Sequence, residues 1–186
     1  MRIIVGVTGA SGISLASDIV NALKKKGVEV HLIVSEAANK VARIEGCDIK
    51  AAMSVADVCY TNDELEAAIS SSTYHIDGMI IVPCSLKTLS SVANGHSNNL
   101  ISRSAENVIR LGRRLLIMPR ETPLSPQALE NMHKLSMYGA IIMPPVIAYY
   151  TRPKSLSDIN DFFTGKVLDV FNIEHDYPRW KGITKK

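Results

Sequence analysis

Cysteine is scarce and unpatterned. Cys47, Cys59 and Cys84 are odd in number and show no C-x-x-C spacing, which excludes a disulfide framework and leads us to expect reduced thiols in a cytoplasmic protein. Metal-binding patterns are missing as well. His31, His75, His96, His133 and His175 fall into no H-x-H or H-E-x-x-H arrangement, and the acidic residues form no D-D-x-x-D cluster, so no catalytic metal is expected. The longest apolar runs, Met79 to Cys84 and Ala140 to Ala148, fall well short of the ~20 residues that a membrane span needs. Met1-Arg2 leads directly into the strand-like Ile3-Ile4-Val5, so no secretory leader is expected either. Charge of one sign is also lacking: 21 Lys and Arg against 18 Asp and Glu leave a formal net charge of +3. The basic residues cluster only at Lys24-Lys25-Lys26, Arg113-Arg114 and Lys185-Lys186, with no basic stripe interleaved with aromatics, which argues against nucleic-acid binding.

What the sequence does contain is an alternation. At 186 residues, 46% of them apolar, the chain fits one globular domain. Ile3–Val7, Val28–Val34, Met79–Val82, Arg114–Met118 and Ala140–Met143 read as strands with little polar interruption, as expected of strands buried on both faces of a parallel sheet. Helical spacing appears between and after them, in Ile13–Lys26, Glu36–Arg43, Leu89–Val92, Ile101–Leu111, Pro126–Met137 and Ser155–Phe171. Asp48–Ser72 is less regular and reads as a short helical excursion. The expectation is a three-layer, doubly wound, mostly parallel Rossmann-like or flavodoxin-like α/β domain over 1–186, with 174–186 a tail that packs on a neighbouring subunit.

Ligands of such sheets bind beyond the C-terminal strand ends. The first strand runs into Gly6-Val7-Thr8-Gly9-Ala10-Ser11-Gly12, a glycine-rich turn into a helix that suits a phosphate, or else serves only close helix–strand packing. Its G-x-x-G-x-x-G spacing departs from the dinucleotide fingerprint, and Ser35 stands where a ribose-binding acid is expected, although Glu36 follows it. Later strand ends carry Pro83-Cys84-Ser85-Leu86-Lys87-Thr88 and Pro119-Arg120-Glu121-Thr122-Pro123, read either as ligand-binding hydroxyls and charges or as a helix cap and a surface ion pair. Cys84 has no evident partner base and reads as a buried structural thiol. Tyr149 and Tyr150 follow the fifth strand, either as core aromatics or as ligand contacts.

Taken in order along the whole chain, GVTGASG, Val34-Ser35-Glu36-Ala37-Ala38, PCSLKTL, Gly95-His96-Ser97-Asn98-Asn99-Leu100-Ile101-Ser102-Arg103, PRETPLS, Tyr150 and Arg179-Trp180 resemble the UbiX/Pad1 family of flavin prenyltransferases. That resemblance implies transfer of a dimethylallyl group to N5 and C6 of reduced FMN, giving prenylated FMN for UbiD-type decarboxylases. It assigns Gly9, Ala10, Ser11, Ser35, Ser85, Leu86, Lys87, Thr88 and Arg120 to FMN binding. Tyr150, Lys166 and Arg110 are expected on the dimethylallyl phosphate, and Ser11, Glu45, Glu121 and Arg103 at the reacting centre. It also implies a homo-oligomer, a dodecamer whose subunit contacts complete the site. An FMN-dependent decarboxylase of the cysteine type and an FMN carrier without chemistry stand as alternatives.

Overall fold

The computed structural model describes residues 1–177, 179, 180 and 182. Its centre is a sheet of six parallel strands: β1 (Arg2–Val7), β2 (Glu29–Val34), β3 (Val58–Thr61), β4 (Gly78–Cys84), β5 (Arg114–Pro119) and β6 (Ile141–Ile142). The helices are α1 (Ile13–Lys25), α2 (Glu36–Glu45), α3 (Ile49–Val55), α4 (Leu86–Ala93), α5 (Leu100–Arg110), α6 (Pro126–Met137) and α7 (Leu156–Val170). The strand order β3-β2-β1-β4-β5-β6 is that of the Rossmann fold, as expected of a doubly wound Rossmann-like sheet.

The two-residue period of a strand explains both layers. In β1, Ile3, Val5 and Val7 face one apolar cluster, shared with α1, α3 and α7, while Ile4 faces the other with α5 and α6. Each fully buried Ile or Leu contributes about 1.5–3 kcal/mol relative to exposure, so the inner strands are held by their own sequence.

The sequence reading needs correction at three elements, β3, β6 and α4. Val58–Thr61 is a strand, not part of a helical excursion: it pairs only with β2, is half exposed, and so lacks the apolar run that marks the inner strands. The last strand shrinks to Ile141–Ile142, and the fourth helix grows from Leu89–Val92 to Leu86–Ala93 because Ser85 caps it. In the described part of the C-terminal tail, His175 and Tyr177 pack on Gly165 of the chain's own α7. Pro178, Lys181 and 183–186 lie outside the described residues.

Because β2 and β4 lie on opposite sides of β1, the connections from β1 and β4 diverge and open a crevice between them. Thr8, only 2% exposed, clasps that crevice. Its hydroxyl donates to the Pro83 carbonyl at 2.7 Å and accepts from the Ser85 N–H at 2.8 Å, while its own N–H donates to Pro83 at 3.3 Å. Thr8→Val keeps the shape but strands a buried N–H, and is expected to lower stability by about 1–3 kcal/mol, read as a lower Tm, whereas Thr8→Ser retains most of it.

Candidate functional site

The loop after β1 is shaped by two glycines with different tasks. A Cβ on Gly9 would stand 2.4 Å from the Ala37 Cβ, so this glycine lets α2 approach the loop. Gly12 has φ +107 and turns the chain into α1. The anion at the start of α1 belongs to the protein itself. Glu45, at the end of α2, accepts from the Gly12 N–H at 2.8 Å and the Ile13 N–H at 3.0 Å. The amides and dipole that the glycine pattern offers to a phosphate are used here by an internal carboxylate. Burial pushes the Glu45 carboxyl up, but hydrogen bonds from Ser11, Gly12 and Ile13 and the charge of Arg120 outweigh it, and it lies below its ordinary value.

Ser11, Glu45 and Arg120 line one cavity of about 610 Å³ over the ends of β1, β4 and β5, a volume within the ~300–1,000 Å³ usual for small-molecule sites. Its walls are largely apolar, with Leu15, Val82, Met118, Ile147, Ile159 and Phe163. Arg120 is pinned by its backbone N–H to the Cys84 carbonyl at 3.1 Å, and its buried Nε has no hydrogen-bond partner among the described residues. Glu121 points elsewhere: its carboxylate accepts from the Thr122 N–H at 3.0 Å and reaches Arg120 only at 4.0 Å. Cys47 also lines the cavity, with its thiol pushed up by burial. Cys84 is fully buried and likewise pushed up, as expected of a structural thiol.

On the other side of the crevice lies a more polar cavity of about 590 Å³, lined by Glu36, Asn39, Thr61, Lys87 and Asn99 among others. Among the helices that begin at this end of the sheet are α2 and α4. Ser35 caps α2 by accepting from the Ala38 N–H at 3.1 Å, and Ser85 caps α4 by accepting from Thr88 at 3.3 Å, so both serines act as helix caps. Among the described residues, neither helix start receives a carboxylate of the kind that Glu45 provides to α1.

Tyr150 and Lys166 come together, but not with the residues above. They share a cavity of about 250 Å³ on the outer side of α7 with Phe162, Asp169, His175, Arg179 and Trp180. Arg110 sits at the C-terminal end of α5, just before β5 begins and thus at the opposite rim of the sheet, bonded to Asn107. Arg103 pairs with Glu106 at 3.4 Å, outside all of these cavities. Tyr149 is 82% exposed and is not a core aromatic. Thr8 and Asn160 escaped the sequence reading. Asn160, 7% exposed, lines the large cavity and donates to Asp18 at 2.8 Å and to Ser14 at 3.3 Å across the α1–α7 contact, which no local pattern announces.

The depressed Glu45 carboxyl gives a signed prediction. Its contribution to stability is present above the ordinary value of 4.5 and is lost as pH falls through the lower folded value. Tm measured against pH should therefore show wild type above Glu45→Gln at neutral pH, with the two curves converging in acid.

Comparison with known proteins agrees with this geometry. The Flavoprotein family matches residues 1–168. Flavin prenyltransferase UbiX of Saccharolobus solfataricus is 45% identical, over 97% of this chain and 92% of that protein. Among solved structures, AnUbiX in complex with FMN and dimethylallyl pyrophosphate superposes with a TM-score of 0.94 at 38% identity, covering 98% of both chains. The dodecameric FMN-dependent UbiX-like decarboxylase of Escherichia coli O157:H7 gives 0.94 at 39%, covering 98% of this chain and 100% of the other. A near-complete match in length, fold and identity, with Ser11, Glu45 and Arg120 converging on one apolar cavity, establishes that this chain belongs to the UbiX family of flavin prenyltransferases.

Proposed function

We propose that the protein transfers a dimethylallyl group from a phosphate ester to reduced FMN, forming bonds at N5 and C6, and that Ser11, Glu45 and Arg120 surround the reacting end of the flavin. The observation that carries this reading is their convergence under apolar walls, with the unpartnered Nε of Arg120 inside. A flavin fits this pair of cavities by its own division into an apolar ring and a polar ribityl phosphate. The ring system suits the larger cavity. The phosphate suits the first amides of α2 and α4, where Ser35, Ser85, Leu86, Lys87 and Thr88 lie, because Glu45 already occupies those of α1. Gly9 and Ala10 bring backbone close to the chain that joins them.

Bound reduced flavin supplies the nucleophilic nitrogen and carbon. The protein's share is orientation, exclusion of water and charge. The apolar walls shelter allylic cation character as the donor C–O bond breaks. Lys166, Arg179 and the Tyr150 hydroxyl hold the departing phosphate oxygens. The Glu45 carboxylate, bonded to Gly12 and Ile13 and facing Ser11, holds a proton-accepting oxygen at a fixed position beside the reacting ring. Arg103, Arg110 and Glu121 are assigned on the resemblance alone.

Because the Tyr150–Lys166 cavity lies on the outer side of α7, we propose that it meets the flavin cavity of a neighbouring copy, as in a dodecamer. The C-terminal tail then lies at that contact. The product is one that a UbiD-type decarboxylase consumes.

Anaerobic incubation with reduced FMN and dimethylallyl monophosphate should yield a flavin heavier by one dimethylallyl unit in the mass spectrum; unmodified flavin with both monophosphate and diphosphate donors contradicts the proposal. Lys166→Ala should leave FMN affinity unchanged and raise the KM for the donor by about ten- to a hundredfold, the worth of a charged hydrogen bond.

A further inference from the structure

The C-terminal segment packs back on α7, held by one buried side chain, His175, and by the part-exposed pair Asp169 and Arg179. Gly165 provides the notch: a Cβ at this position would stand 2.9 Å from Tyr177 Cβ and 3.2 Å from His175 Cε1. His175, whose side chain is only 2% exposed, fills it. The Tyr177 N–H points at His175 Nδ1 at 3.1 Å. A backbone N–H can only donate, so Nδ1 is the acceptor and the ring proton sits on Nε2. That N–H faces Asp169 Oδ1 at 3.2 Å. The same carboxylate oxygen is ion-paired with Arg179 Nη2 at 2.5 Å, and the guanidinium lies against the imidazole with Nη2 3.1 Å from Nε2. One carboxylate on α7 thus gathers two tail residues, and Trp180 follows by packing edge-on to Tyr150 with ring centroids 5.3 Å apart.

We propose that Asp169 and His175 are positioning residues, which clamp the tail onto α7 so that Arg179 stands beside Lys166 and Tyr150 as a third group on the leaving phosphate. Neither touches the donor in this account. Asp169 acts through Arg179, by fixing its guanidinium plane and by keeping the long side chain from sampling solvent, and His175 acts by holding the chain just before it. Lys166 remains at the pocket without the clamp, being on α7 itself. The clamp therefore tunes donor binding without touching the flavin cavity, which is lined by none of these residues.

This inference rests on the proposed prenyl transfer, so its test carries a readout that does not depend on turnover. Trp180 is the only tryptophan of the chain, and its fluorescence anisotropy reports whether the tail is docked. Asp169→Ala and His175→Ala should lower that anisotropy, leave FMN affinity and far-UV circular dichroism as in wild type, and raise the KM for dimethylallyl monophosphate about tenfold with a smaller change in kcat. In a double-mutant cycle, Asp169→Ala added to Arg179→Ala should cost nothing further, since the first acts through the second. Gly165→Ala, which fills the notch but leaves every charge in place, should reproduce the effect. An unchanged anisotropy overturns the clamp, and so does a lowered one with an unchanged KM or with effects that multiply in the cycle. A wild type that prenylates no flavin removes the donor role from the proposal, while the anisotropy of the variants still decides whether Asp169 and His175 hold the tail.

Discussion

The bond between Glu45 and the first amides of α1 organises the site. It joins the end of α2 to the start of α1 across 33 residues of sequence, closes one wall of the large cavity, and uses the helix N-terminus nearest the crevice for an internal charge. Two consequences follow from ordinary electrostatics. The carboxylate is stabilised in its charged form despite partial burial, and an external dianion would meet a like charge if it approached the same amides. In the proposed arrangement a phosphate goes instead to the neighbouring helix starts at Ser35 and Ser85, and the region around Ser11 is left for uncharged chemistry.

The three cavities then separate the tasks that the reaction needs. Polar groups and two open helix starts lie on one side of the Thr8 clasp, and apolar walls with Ser11, Glu45 and Arg120 on the other. Cations and aromatics stand apart on the outer face of α7. A cation-rich pocket inside the flavin cavity would bring water and charge to the place where an allylic cation must be sheltered. On the proposed reading, its location on a different surface leaves a single chain with the parts of the site unassembled and gives assembly a catalytic reason.

Much of this was legible in the residues because the inner strands of a parallel sheet must be apolar on both faces. Ile3–Val7 and Met79–Val82 announce themselves for that reason, and the strand-end rule turns their positions into a list of loops. Val58–Thr61 did not, since an edge strand has one partner and keeps mixed polarity. The residues proposed for the site, Gly9, Ser11, Ser35, Ser85 and Arg120, all fall at predicted strand ends. The glycine pattern itself misled in part: it marks a close approach to Ala37 and a left-handed turn as much as an anion site, and nothing local to Gly12 shows that Glu45 fills it. Long-range pairings of this kind, like the Asn160–Asp18 bond and the Asp169–Arg179 clamp, arise from packing of elements far apart in the chain and leave no periodic trace.

The division of labour set by Glu45 is tested most directly by a crystal structure of the protein with FMN. The account predicts the phosphate at the N-termini of α2 and α4, within hydrogen-bond distance of Ser35 and Ser85, with Glu45 still bonded to the amides of Gly12 and Ile13. A phosphate seated on the Gly12 and Ile13 amides, with Glu45 turned away, would contradict it.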